Sequence, residues 1–357
     1  MAISVSETKE KALFIWLASV AVTVILMVVL GGVTRLTHSG LSMVTWEPLT
    51  GWLPPLNNAE WNQLFLLYQQ YPEFKEINFG MSLEEFKQIF WLEYLHRVWG
   101  RIIGLVFIIP FFAFKMLGWI NAKLQIHLLI LLALGVCQGF LGWFMVKSGL
   151  VDRPDVSQYR LACHLCLAFI IFGYLLFLCL SLQGWEINSV PAKVSVASKS
   201  ITVLIFVTVF SGALVAGLNG GLVYNTFPLM DGDLLPNDLF PLTPMYLNFF
   251  ENILTVQFDH RLLALACFIS IMAFWIAIRR TSLSKYQRVS INALAIVCII
   301  QVCLGVLTLI YRVPLVAATL HQAGGLLLFG ASVWVSTLLH YNKQNVSLST
   351  RRKKMVV

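Results

Sequence analysis

Four of the seven histidines, His96, His164, His260 and His321, lie at the ends of long apolar segments and form two matched pairs. His96, in Glu93-Tyr-Leu-His-Arg97, recurs 164 residues later as His260, in Gln257-Phe-Asp-His-Arg261. His164 recurs as His321, 157 residues on. Imidazole is the commonest protein ligand for metals, and two imidazoles facing each other across a helix bundle provide the axial arrangement for a haem iron. A bare Zn or Cu ion is disfavoured, because no Cys or carboxylate completes a tetrahedral set at this depth in both halves. The residue four positions after each histidine is small: Gly100, Ala168, Ala264 and Gly325. One turn deeper on the same helical face there is then clearance for a flat macrocycle; close helix approach is the alternative use of small residues.

Cations accompany the histidines. Arg97, Arg101 and Arg261 fall at the outer boundary, where haem propionates would emerge, and guanidinium pairs well with carboxylate. Boundary snorkelling is the alternative for these residues. His127 and His340 lie near inner helix ends without repeat partners and are expected to be structural. His38, in the loop Thr34-Arg-Leu-Thr-His-Ser-Gly-Leu-Ser42, either lines the entrance to a haem site or makes loop hydrogen bonds.

The elements that position these residues are membrane spans. The 357-residue chain is 58% hydrophobic and 12% charged, with a mean hydropathy of +0.79, which excludes a soluble globular domain. Spans need about 20 apolar residues, and charge-free stretches run 12–34, 124–146, 161–185, 200–230, 289–311 and 313–342. Two further stretches, Ile102–Phe114 and Leu262–Ile278, must borrow their outer ends from Glu93–Arg101 and Gln257–Arg261. Ionisable residues forced to membrane depth are functional candidates by default. The expected total is eight spans.

The net charge of +8 follows topology and not nucleic acid, for which no partner role is expected. With the N-terminus inside, cytoplasmic segments carry 15 of the 25 basic residues and three acids, which fixes the orientation by the positive-inside rule with both termini cytoplasmic. Ala12–Thr34 is too long for a signal-peptide core and is expected to be the first span. All seven cysteines fall inside predicted spans, so no exported disulfide framework is expected, and the Cys163-x-x-Cys166 pair is read as packing.

The repeat extends beyond the histidines. Gln138-Gly-Phe-Leu-Gly142 matches Gln301-Val-Cys-Leu-Gly305, Gly31-Gly32 echoes Ser211-Gly212, and Trp46-Glu-Pro48 echoes Thr226-Phe-Pro228. The expected architecture is all-α: two four-helix bundles, residues 1–185 and 186–357, as parallel repeats related by a pseudo-twofold axis along the membrane normal. In the long outer loop near residues 35–90, Trp61, Leu64, Phe65 and Tyr68 predict an interfacial amphipathic helix, and Ser82-Leu-Glu-Glu85 a capping box opening a helix that runs on toward span 2.

These segments in order, with Glu93-Tyr-Leu-His-Arg-Val-Trp-Gly-Arg101, Ser148-Gly-Leu150, Ser211-Gly-Ala-Leu-Val-Ala-Gly217, Asn225-Thr-Phe-Pro-Leu-Met-Asp-Gly232 and His321-Gln322, resemble the haem A synthase family over nearly the whole chain. The resemblance implies an oxidoreductase of a bacterial inner membrane that oxidises a methyl group of haem O to a formyl group, through an alcohol, for terminal oxidases. It implies one half binding substrate haem O and the other a haem B cofactor, each between two histidines. Candidate partners are the lipid bilayer, haem O synthase (the farnesyltransferase), cytochrome oxidase assembly factors and a second copy of the chain. The cysteine pair that some members carry in the first outer loop is absent here.

One asymmetry bears on the halves. Glu93 lies one turn before His96, whereas the equivalent residue before His260 is Gln257. A reacting methyl group uses an acid or base and an electron-transfer haem does not. The first half, with Glu93 catalytic, His96 and His164 on the substrate iron and Arg97 and Arg101 beside it, is therefore expected to be the substrate site. His260, His321 and Arg261 are expected to hold the cofactor. A structural ion pair with Arg97 is the alternative for Glu93, and a non-enzymatic bis-histidine cytochrome or a transporter the alternatives for the whole chain.

Overall fold

The computed structural model of the chain describes residues 5–47, 50–151 and 154–340. Pro48 of the Trp46-Glu-Pro48 motif and the basic tail from Lys343 to Lys354 lie outside the described residues. The helices are α1 (Val5–Leu36), α2 (Asn58–Tyr68), α3 (Pro72–Glu76), α4 (Leu83–Met116), α5 (Ala122–Ser148), α6 (Gln158–Ser181), α7 (Ala192–Gly217), α8 (Asn248–Glu251), α9 (Ile253–Ile278), α10 (Lys285–Ile310) and α11 (Leu315–His340). Among the described residues there is no strand beyond one isolated bridge, Met230 to Asp233. Eight helices, α1, α4, α5, α6, α7, α9, α10 and α11, are long and apolar enough to cross a membrane, as expected.

The two spans with short charge-free cores are completed as anticipated. Helix α4 has 34 residues, about 51 Å at 1.5 Å per residue, so its N-terminal turns stand outside the roughly 30 Å hydrocarbon layer. It opens with the predicted capping box: the Ser82 hydroxyl accepts from Glu85 N at 3.3 Å, and the Glu85 carboxylate accepts from Ser82 N at 2.8 Å. Helix α2 forms where predicted, but its apolar face does not serve as a membrane surface. Trp61 and Tyr68 are buried against Phe86, Phe90 and Tyr94 of α4, with Leu64 and Phe65 packed alongside. The projecting end of α4 offers an apolar wall closer than the bilayer, and α2 covers it.

The core runs between the halves. Helices α1, α6, α7 and α11 pack on one another at the centre, where Leu17, Phe169, Leu175, Ile205 and Leu326 are almost fully buried, while α4 and α5 on one side and α9 and α10 on the other lie outside them. The contact between α6 and α11 is reciprocal. A Cβ added to Gly173 would come 2.8 Å from Phe329 Cε1, and one added to Gly330 would come 2.8 Å from Phe172 Cε1. Phe172-Gly173 and Phe329-Gly330 are repeat-equivalent, and self-complementary packing of this kind is what a two-fold relation demands. Gln322 Nε2 donates to Val28 O at 2.8 Å, and Arg35 donates to Ala216 O, so polar contacts also tie the halves.

Candidate functional site

His96 on α4, His164 on α6, His260 on α9 and His321 on α11 each lay their imidazole over a glycine of a neighbouring helix in the same half. A Cβ on Gly31, Gly142, Gly212 or Gly305 would approach the facing imidazole Cε1 to 2.9, 3.1, 2.9 and 2.9 Å respectively. These glycines stood in the sequence motifs, but what they face is visible only in three dimensions. They also correct the repeat alignment by one residue: Gly31 corresponds to Gly212, so Ser211 corresponds to Leu30. The same register pairs His38 with Asn219, both left-handed (φ 50° and 53°) just after their helices. His38 is exposed and donates its backbone N–H to Arg35 O at 3.1 Å, a helix-terminating turn.

The four imidazoles differ in what holds Nδ1. Ser211 Oγ gives its proton to Thr208 O at 2.8 Å and lies 2.9 Å from His260 Nδ1, so its free lone pairs accept from Nδ1–H and leave Nε2 bare. Gln301 Nε2 lies 3.1 Å from His321 Nδ1, and Gln138 Nε2 3.3 Å from His164 Nδ1. His96 Nδ1 is buried with no partner, since the residue in place of Ser211 is Leu30. His96 lies within electrostatic reach of His164, and His260 of His321. Among the described residues no three His, Cys, Asp or Glu side chains converge on one point, so the donors come as pairs.

The donor set fits haem. Of seven buried polar side-chain atoms without protein partners among the described residues, four, His96 Nδ1, Gln138 Oε1, Gln301 Oε1 and Arg261 Nε, lie on a paired histidine, on the glutamines over two others and on the arginine that follows a histidine; the rest are Thr308 Oγ1, Thr319 Oγ1 and Trp334 Nε1. Buried polar groups are nearly always satisfied, and the four gathered about the histidine pairs suit a bound group there.

The arginines are engaged by backbone carbonyls. Arg97 donates to Thr45 O at 2.7 Å, Met43 O at 2.5 Å and the Glu93 carboxylate at 2.6 Å. Arg261 donates to the repeat-equivalent carbonyls, Thr226 O at 2.9 Å and Tyr224 O at 2.6 Å, and to Gln257 Oε1 at 2.9 Å. Arg101 donates to Gly51 O and Glu47 O and lies over Trp52. All three bind outer loops to their helices, and Arg261 keeps one unpartnered buried donor, Nε.

Glu93 is 3% exposed and its carboxylate is fully engaged. One oxygen accepts from Arg97, the other from Ser42 Oγ at 2.8 Å and Met43 N at 2.7 Å. Gln257 instead donates, to Gly220 O and Val223 O, both at 2.6 Å. The acid–amide difference thus tracks the loop backbone, which presents donors in the first half and acceptors in the second. Outside the spans, a carboxyl that sequence reasoning missed, Glu73 of α3, is buried and accepts from the Tyr68 hydroxyl at 3.0 Å. Burial pushes it up to about 7, opposed by that hydrogen bond and reinforced by Glu93. Its only sequence signal is an acid one residue after Pro72 among aromatic residues.

The other polar candidates behave structurally. His127 Nδ1 meets the Tyr174 hydroxyl at 2.6 Å, His340 lies 3.0 Å from Lys199 Nζ, and all seven cysteines are free, Cys163 exposed and Cys166 buried.

Residues 14–333 match the COX15-CtaA family, described as cytochrome oxidase assembly protein. The heme A synthase of Nitrosospira multiformis is 49% identical over 331 residues, covering 92% of this chain and 93% of that protein. That of Nitrosomonas eutropha is 49% identical over 327 residues (90% and 92%), and that of Wolbachia pipientis wMel 45% over 345 residues (95% of each). With this extent of similarity, and histidine pairs set on matching glycines in both halves, the chain belongs to the COX15-CtaA family of cytochrome oxidase assembly proteins.

Proposed function

We propose that this chain is a haem A synthase, oxidising a methyl group of haem O to the formyl group of haem A. The similarity to proteins named heme A synthase supports the reaction, and the paired histidines support a haem in each half. The division of labour rests on one observation: His260 Nδ1 is held by Ser211, while His96 Nδ1 has no protein partner. A permanently ligated haem benefits from an oriented, more basic imidazole, so residues 186–357 hold the resident haem B between His260 and His321, with Arg261 at its rim. Residues 1–185 take haem O between His96 and His164, where an untethered imidazole lets substrate come and go. Bound haem B supplies one-electron transfer. Arg97 and Arg101 fix the loop that roofs the substrate site, and Glu93 is the candidate acid–base group, Ser42 being its one partner able to rotate a hydroxyl proton. A second reading of Glu93, as the anchor of residues 42–45 on α4, is favoured by its saturated hydrogen bonding.

The protein resides in a bacterial inner membrane with both termini cytoplasmic, and exchanges haem with haem O synthase and oxidase assembly factors. Expression with and without a source of haem O, followed by extraction of the haems, tests the reaction. Haem A is expected only when haem O is supplied; haem B alone under both conditions would identify an electron carrier instead.

A further inference from the structure

We propose that the seam between α4 and α5 is a groove for the isoprenoid tail of haem O, and that Gly104, Gly135 and Gly139 are its specificity-determining residues. This rests on the assignment of substrate to the first half. Haem O differs from haem B in carrying a hydroxyethylfarnesyl group in place of a vinyl, so a protein holding both must admit the tail at one site and exclude it at the other.

The two halves differ at the required place. A Cβ added to Gly104, Gly135 or Gly139 meets no heavy atom within 4 Å, and Gly135 and Gly139 are exposed. The repeat-equivalent residues in the second half are Phe268, Cys298 and Val302. Cys298 is 1% exposed and Phe268 packs on the central core. Helix α9 packs on α10, whereas α4 and α5 scarcely touch. Side chains therefore fill the seam in one half and are missing from the same depth in the other.

The seam starts beside His164. Gly139 and Gly135 lie on the face of α5 that carries Gly142, the residue under the His164 imidazole, and Gly104 lies eight residues, about 12 Å, inward of His96 on α4. Two of the unpartnered buried atoms, His96 Nδ1 and Gln138 Oε1, belong to the two helices that flank it, α4 and α5, so the seam adjoins the proposed substrate site. Gly135 and Gly139 are exposed within a span, so a tailed haem enters sideways there without its hydrocarbon crossing polar surface. Within a bilayer apolar burial gives little drive, and selectivity comes from shape: space in the first half and obstruction in the second.

The test transplants the second half's side chains. Full-length protein carrying Gly104→Phe with Gly139→Val, and separately the milder Gly135→Ala with Gly139→Ala, is purified with its resident haem, whose bis-histidine spectrum reports folding. Haem O and haem B are then titrated in parallel into the remaining site. Filling the groove should weaken haem O binding by about tenfold or more, graded between the two variants, while tail-less haem B binds within about twofold of wild type. Unchanged haem O affinity in the folded variants, or equal loss of both haems, would overturn the groove. His96→Ala separates the two levels: haem O binding that survives it refutes the first half as substrate site, whatever the glycine variants do.

Discussion

Replacing Glu93 with Gln tests whether the carboxyl reacts or only holds the loop. Copying Gln257 does not transplant its environment. With the amide oxygen toward Met43 N and Ser42, the NH2 group faces the Arg97 donors now at 2.6 and 3.1 Å; turned over, it faces Met43 N–H, now at 2.7 Å. Either way a buried donor loses its acceptor, a cost of about 1–3 kcal/mol, with a further loss as a charge-assisted contact to Arg97 becomes neutral. Ser42→Ala, which keeps the carboxylate and removes one contact, should cost about 1 kcal/mol with near-normal turnover. If Glu93 also serves the methyl oxidation, haem A per folded molecule should fall by roughly 10²–10⁴ in Glu93→Gln, with haem O or the alcohol accumulating. The assay is extraction and quantification of haems from membranes, normalised to resident haem, alongside thermal unfolding of purified protein. Wild-type haem A per folded molecule would refute the catalytic role and leave the anchor. Wild-type stability would refute the hydrogen-bond reasoning itself.

Ser211→Ala should keep the bis-histidine spectrum of the second half but raise its midpoint potential by tens of millivolts, the equivalent of the roughly 0.5–1.5 kcal/mol of one hydrogen bond; an unmoved potential in a redox titration would show that Ser211 does not hold His260. Gly305→Ala places a methyl group against the His321 imidazole and should weaken or displace resident haem, whereas Gly104→Ala, in open space, should leave that haem's spectrum unchanged; equal behaviour would sink the packing role of the four glycines. The outer-loop layer should lose stability as pH rises from about 4.5 to about 7, because Glu73 has a raised folded value and binds its proton more tightly folded than unfolded. Glu73→Gln should flatten this dependence in proteolysis of the α2–α3 segment measured across that range, and an unchanged slope would assign it elsewhere.

The eight spans and the repeated segments that carry the four histidines were legible in the sequence because each is written locally: apolar length makes a span, and a duplicated segment keeps its histidine in the same sequence setting. The capping box at Ser82 and the structural parts of His127 and His340 were legible for the same reason. Hydrogen-bond direction is not local. Glu93 and Gln257 stand out as acid against amide, yet only the folded loops reveal donors facing one and acceptors facing the other, and only they take up Arg97, Arg101 and most of Arg261. The apolar face of α2 likewise found a protein wall, because α4 projects far enough to supply one. The glycines beneath the histidines and those along the α4–α5 seam look alike in the chain. What separates them is the neighbouring helix, which places an imidazole over the first set and nothing over the second, and that spacing between helices is set by packing across the whole bundle.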